Sequence, residues 1–140
     1  MMQFNYKVEG GDFSNAGNAS SDVKKNLKKL NVSPKIIRRI VVALYEAEVN
    51  IVAHAYSGEI NVNIDIDKIE IELNDKGPGI ENIEMAMQEG YSTASQAVRE
   101  MGFGAGMGLP NIKKNCDELI INSKVGEGTN LKIITYLNNN

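Results

Sequence analysis

One apolar stretch of the chain carries three polar residues at four-residue spacing: Glu46, Asn50 and His54. At about 100° per residue, a step of four advances only ~40° around a helix, so the three project as one row. Their neighbours Ile40, Val41, Val42, Leu44, Val49, Ile51 and Val52 are apolar nearly all round. That pattern predicts a buried helix. A carboxylate and a carboxamide inside a core cost on the order of several kcal/mol unless partners satisfy them. A ligand is one candidate partner.

The rest of the chain is compatible with one domain. Its 140 residues are enough to enclose a core. The residues are 42% hydrophobic, 24% charged and 6% aromatic, which is ordinary for a globular protein. A net charge of −3 argues against a broad nucleic-acid footprint. No apolar run approaches the ~20 residues of a membrane span. Met1 to Gly10 alternates and is polar, unlike a secretory signal. Cys116 is the single cysteine, so no internal disulfide forms; a reducing cytoplasm is expected, with the thiol as a small core filler.

An α+β order emerges along the chain. Phe4, Tyr6 and Val8 alternate as a first strand, and a Gly- and Ser/Asn-rich loop, with room for early helical turns, runs on to Ser21. Val23, Leu27 and Leu30 form the apolar stripe of a helix that Asn31 closes. Lys24, Lys25, Lys28 and Lys29 lie on its wet side, as a solvated face or a docking surface for an acidic partner. Ser33-Pro34 caps the next helix, which is expected to run to about Tyr56. Ile60, Val62, Ile64 and Ile66 alternate, Asp67-Lys68 turns, and Ile69, Ile71 and Leu73 alternate again. A short helix over residues 80–88 precedes a Gly-, Ser- and Thr-rich stretch, 89–108, read as a mobile lid. A helix over 109–116 leads to a strand at Leu119–Ile121, a turn at Gly126-Glu127-Gly128 and a returning strand at Leu131–Ile134.

Three further pieces could take part in chemistry. Asp75-Lys76-Gly77-Pro78-Gly79 has the composition of a plain turn. Its carboxylate could also accept from an exocyclic amine such as adenine's, while Gly77 and Gly79 let a flat ring approach. Glycine at every second position in Gly102-Phe103-Gly104-Ala105-Gly106-Met107-Gly108 can expose successive N–H groups to an anion; otherwise it is a flexible linker. The helix beginning near Leu109 would add its positive end. No Gly-Lys-Ser/Thr follows, so this is not a Walker A loop, and the spacing does not fit a dinucleotide fingerprint. Gly126-Glu127-Gly128-Thr129 is a hairpin turn whose Thr129 hydroxyl could face a bound base.

In this order the pieces resemble the ATP-binding domain shared by gyrase, heat-shock chaperones, histidine kinases and the mismatch-repair protein MutL, the GHKL superfamily. Glu46-x-x-x-Asn50 matches the N box, Asp75-x-Gly77-x-Gly79 the first glycine box, the 102–108 run the second, and Gly128-Thr129 the last. The resemblance covers about residues 35–135. Within that superfamily the chain is similar to small bacterial serine/threonine kinases that act as anti-sigma factors or stress-signalling switch kinases. Gly90-Tyr91-Ser92-Thr93 and Gly106-Met107-Gly108-Leu109-Pro110 look more like the switch kinases, although residues 94–101 lengthen the lid.

The resemblance implies ATP and Mg²⁺ as ligands. Asn50 would offer its amide oxygen to Mg²⁺, and Glu46 would be the general base toward a serine or threonine hydroxyl, or a water. Asp75 would hold the adenine amine with Thr129 beside it. Gly102, Gly104, Gly106, Met107, Gly108 and Leu109 would line the phosphates. Arg99 and Lys76 are each either a phosphate contact or a solvated cation. His54 is either a structural histidine one turn below or a group orienting Asn50.

The expected fold is a two-layer α/β sandwich of the Bergerat type. Its sheet would be mixed and mainly antiparallel, with helices on one face and ATP beneath a Gly-rich lid. The expected function is a serine/threonine protein kinase acting on a STAS-type anti-anti-sigma regulator. The alternatives are an ATP-gated anti-sigma module that holds a sigma factor, and a stand-alone ATPase. A homodimer is compatible with the sequence; nucleic acid and membrane are not expected partners.

Overall fold

The computed structural model describes residues 2–88 and 108–137. Five strands form one sheet: β1 (Met2–Glu9), β2 (Ser57–Ile64), β3 (Lys68–Lys76), β4 (Glu118–Lys124) and β5 (Gly128–Tyr136). Their order across the sheet is β1-β2-β3-β5-β4. All four pairings are antiparallel, so among the described residues the sheet is not mixed, as expected, but wholly antiparallel. Strand alternation sends Ile60, Val62, Ile69, Ile71, Leu73, Leu131 and Ile133 into the core. The opposite face is polar: Asn130 donates to Glu72, and Lys132 pairs with Glu70 at 3.3 Å.

The helices are α1 (Asn18–Lys29), α2 (Pro34–His54), α3 (Ile83–Ala86) and α4 (Gly108–Lys114), with a 3₁₀ turn at Phe13–Asn15. Helix α2 packs between α1 and α4 and lies over β1, β2 and β3. Ile40, Ala43, Leu44, Ala47 and Ile51 bury its inner side among Val23, Leu27 and Ile112. The Ser33 hydroxyl accepts from Ile36 N–H and Pro34 occupies the first turn, as the sequence predicts.

Asn31 closes α1 by adopting φ 59°, the left-handed conformation that asparagine tolerates. Val32 N–H then reaches back to Leu27 O and Asn31 N–H to Lys28 O, which satisfies the last carbonyls. Leu30 differs from expectation. It is exposed at the helix cap, because the chain leaves the stripe there.

Other boundaries also move: α1 begins at Asn18 inside the expected loop, and β3 runs on through Asp75 and Lys76, which the sequence placed in the turn. Helix α2 stops at His54, since Ala55 is already extended and Tyr56 N–H donates to Lys76 O in the sheet. Ile66 is not a strand residue but the exposed tip of the β2–β3 hairpin, whose turn is closed by Asp65 N–H on Lys68 O. The helix expected over 80–88 shortens to Ile83–Ala86, capped by Asn82 accepting from Met85 N–H.

Candidate functional site

Glu46, Asn50 and His54 do form one row on α2, and all three are half-buried. The start of α4 lies against this row. A Cβ at Gly108 would sit 2.8 Å from Asn50 Oδ1 and 3.0 Å from Nδ2, so glycine lets the helix come this close without displacing the Asn50 side chain. One turn further, Asn111 Nδ2 donates to Glu46 Oε1 at 3.4 Å. Burial pushes the Glu46 carboxyl above its ordinary value, and the Asn111 donor opposes that push. Burial lowers His54, favouring the neutral imidazole.

The C-terminal end of α2 meets the Asp75 turn. A Cβ at Gly77 would fall 2.9 Å from the Ala55 Cα. Asn50 is five residues before Ala55, about 7.5 Å along a helix axis, so the N row and the turn share one end of the molecule.

The β4–β5 hairpin clamps the turn from the other side. Thr129 N–H donates to Asp75 Oδ1 at 3.0 Å, Gly77 N–H to Glu127 O at 3.2 Å, and Gly126 N–H to Pro78 O at 2.9 Å. Gly79 holds φ 76° with Lys124 O so close that a Cβ would collide at 2.5 Å. Burial raises the Asp75 carboxyl, partly offset by the Thr129 N–H. Its Oδ2 has no described partner and remains an acceptor.

Glu46, Asn50, Gly108 and Leu109 therefore gather at the α2–α4 contact, and Asp75, Gly77, Gly79 and Thr129 at the adjoining strand ends. Lys76 is the exposed last residue of β3. Arg99, Gly102, Gly104, Gly106 and Met107 lie outside the described residues, as does most of the 89–108 stretch.

Two residues escaped sequence reasoning. Glu48 is the most buried carboxylate of the described residues, 2% exposed, and it serves α1. It accepts from the backbone N–H groups of Gly17 (3.0 Å), Ala19 (3.2 Å) and Ser20 (3.2 Å), and from the Ser20 hydroxyl at 2.7 Å. Gly17, the N-cap residue, offers no side chain, so Glu48 replaces the local cap. Ser123 on β4 is the second. It receives Ile80 N–H at 2.8 Å and sits 2.9 Å from the Thr129 hydroxyl. The sequence signals were an uncapped helix start and a hydroxyl on a strand's inner face.

An open depression of about 340 Å³ lies at the same end of β3, β4 and β5, lined by Asp75, Ser123 and Thr129 and by Asn74, Asn122 and Asn130. Strand alternation puts the three asparagines on the helix-free face, away from Glu46 and Asn50. Asp75 and Thr129 thus border two spaces, and only the helix side also contains the N row.

The family model for the histidine kinase-like ATPase domain matches residues 12–135. The chain belongs to this family. Its catalogued relatives include the serine/threonine-protein kinase RsbT of Bacillus subtilis, 36% identical over 71% of each chain. They also include the anti-sigma F factor of Caldanaerobacter subterraneus, 32% identical over 99% of each chain. Among solved structures, the RsbU and RsbW domains of a Mycobacterium tuberculosis protein superpose with a TM-score of 0.68 at 14% identity. They cover all of this chain, which spans 34% of theirs. The SiaB–SiaC complex of Pseudomonas aeruginosa gives 0.63 at 14% identity, covering 96% of this chain and 88% of its own. These two likenesses establish the α+β fold. Family membership agrees with the GHKL resemblance carried by the N row and the glycine turns.

Proposed function

We propose that this chain binds ATP with Mg²⁺ at the α2–α4 contact and transfers the γ-phosphoryl group to a serine or threonine of a small STAS-type regulator. The observation that carries the reading is the convergence of Glu46, Asn50 and Gly108 with the Asp75 turn at one end of the fold. Asn50 fits a hard cation, because its carboxamide makes no hydrogen bond to another described residue and offers an oxygen. Among the described residues no cluster of three His, Cys, Asp or Glu is placed to hold a metal, and Asn50 is the residue that would hold the ion. When bound, it neutralises phosphate charge and aligns the leaving group.

The chain's own groups supply the rest. Asp75 Oδ2 accepts from the adenine amine, with Thr129 alongside. Glu46 takes the proton of the attacking hydroxyl. Its raised carboxyl pKa makes it a better proton acceptor than an exposed glutamate at the pH where it remains ionised. Gly108 and Leu109, with the 102–107 segment before them, contribute backbone N–H groups toward the phosphates. Arg99 and Lys76 would add positive charge there.

The relatives named anti-sigma F factor support a second reading, in which nucleotide gates the grip on a sigma factor and transfer is minor. Incubation with γ-labelled ATP, Mg²⁺ and a candidate STAS protein separates the two. Label on the partner that disappears in Glu46→Ala, with ATP affinity retained, is the result expected. ATP-dependent capture of a sigma factor without label would favour the second reading, and free phosphate alone a simple ATPase.

A further inference from the structure

We infer that Ser123 is a positioning residue that locks the Thr129 hydroxyl as a hydrogen-bond acceptor and so sets the base selectivity of the pocket. The inference rests on the nucleotide-binding reading above and deepens it.

A serine Oγ has one proton and two lone pairs. Ser123 Oγ has three neighbours: Ile80 N–H at 2.8 Å, Gly128 O at 3.1 Å and Thr129 Oγ1 at 2.9 Å. Ile80 N–H can only donate and Gly128 O can only accept. The serine proton therefore goes to Gly128 O, and the second lone pair is left for Thr129. Only one arrangement makes all three bonds at once, and in it the Thr129 O–H points at Ser123.

Thr129 then turns lone pairs toward the space it lines. Asp75 beside it is also an acceptor, held in place by Thr129 N–H on Oδ1. Two adjacent acceptors suit an exocyclic amine and repel a carbonyl oxygen at the same ring position. Ser123 also ties three segments together, since Ile80 follows the glycine turn, Gly128 and Thr129 open β5, and Ser123 itself lies on β4.

Inosine triphosphate differs from ATP by carrying a carbonyl where adenine has its amine, so the ratio of ATP to ITP affinity reads the arrangement. In Ser123→Ala the Thr129 proton is released and can turn toward that carbonyl. The ATP preference should then shrink by about tenfold, the worth of one hydrogen bond. Ser123→Thr keeps the hydroxyl and should retain the wild-type ratio. Calorimetric titration of the full chain with Mg-ATP and Mg-ITP measures both, with thermal melts confirming that each variant is folded.

Equal weakening of both nucleotides in Ser123→Ala, or no change in either, would overturn the inference while leaving ATP binding intact. Should Ser123→Ala fail to fold, an unchanged ratio in Thr129→Val, which keeps the side-chain volume and removes the hydroxyl, would overturn it equally. A wild-type chain that binds neither nucleotide would overturn the binding reading itself.

Discussion

The Ser20 hydroxyl donates to the Glu48 carboxylate at 2.7 Å, joining the first turn of α1 to the middle of α2 inside the core. With the Gly17, Ala19 and Ser20 N–H groups, four donors converge on one buried anion. Charge-assisted bonds of this kind compensate for burying the charge and supply the missing N-cap. Glu48→Ala should therefore strand several donors and cost about 3 kcal/mol. Urea unfolding followed by circular dichroism measures this, and a loss below ~1 kcal/mol would show that α1 does not depend on Glu48.

The pH dependence of phosphoryl transfer tests Glu46. Its carboxyl is raised above the ordinary 4.5 by burial, and the Asn111 donor limits the rise. As a general base it must be ionised, so the rate should fall on acidification with a midpoint above 4.5. Asn111→Leu removes the donor and should move that midpoint further up. A midpoint that stays put in Asn111→Leu would detach Asn111 from Glu46.

Gly108, like Asn111, is a contact through which α4 reaches the N row. A Cβ there would press on the Asn50 carboxamide at 2.8 Å, so the Asn50 side chain or the start of α4 must shift. Gly108→Ala should weaken Mg-ATP binding about tenfold, in line with the 1–3 kcal/mol that overpacking typically costs. Calorimetry against wild type is the measurement, and undiminished affinity would mean that Asn50 is free to move aside.

Asp75→Asn replaces an acceptor with a group that also donates. Discrimination between ATP and GTP should fall by roughly tenfold or more. If wild type and variant treat the two nucleotides alike, Asp75 does not read the base.

His54 provides a stability signature. Burial lowers its pKa below 6.5, so the folded state prefers the neutral ring. Its contribution is complete above about pH 6.5 and is lost as the pH falls through the lower folded-state value. His54→Asn should flatten the stability profile between pH 7 and about 5, read from thermal melts at each pH. A profile identical to wild type would assign that acid sensitivity to other groups.

Much of this molecule follows from local chemistry. The four-residue period of Glu46, Asn50 and His54, with Ser33-Pro34 before it, specifies a helix whose polar row must share one side. Period-two alternation specifies strands β1, β2 and β3, and Gly77-Pro78-Gly79 the turn after β3, although the strand runs on through Asp75 and Lys76. The ordered set of motifs carried the family. Ile66 misled because alternation continues through the hairpin tip, where the turn geometry of Asp65 and Lys68 outweighs propensity.

What local patterns could not decide is which partner each polar group meets. Glu46 and Glu48 differ by two positions, which places them about 200° apart around the helix axis. Nothing in composition says that the first meets α4 and the second caps α1, since that depends on which helix packs on which side. Ser123 likewise acquires meaning only when β4 and β5 pair beside the glycine turn. Periodicity is a property of neighbours along the chain, whereas hydrogen-bond saturation is a property of segments far apart in sequence, and only the assembled core brings those segments within about 3 Å.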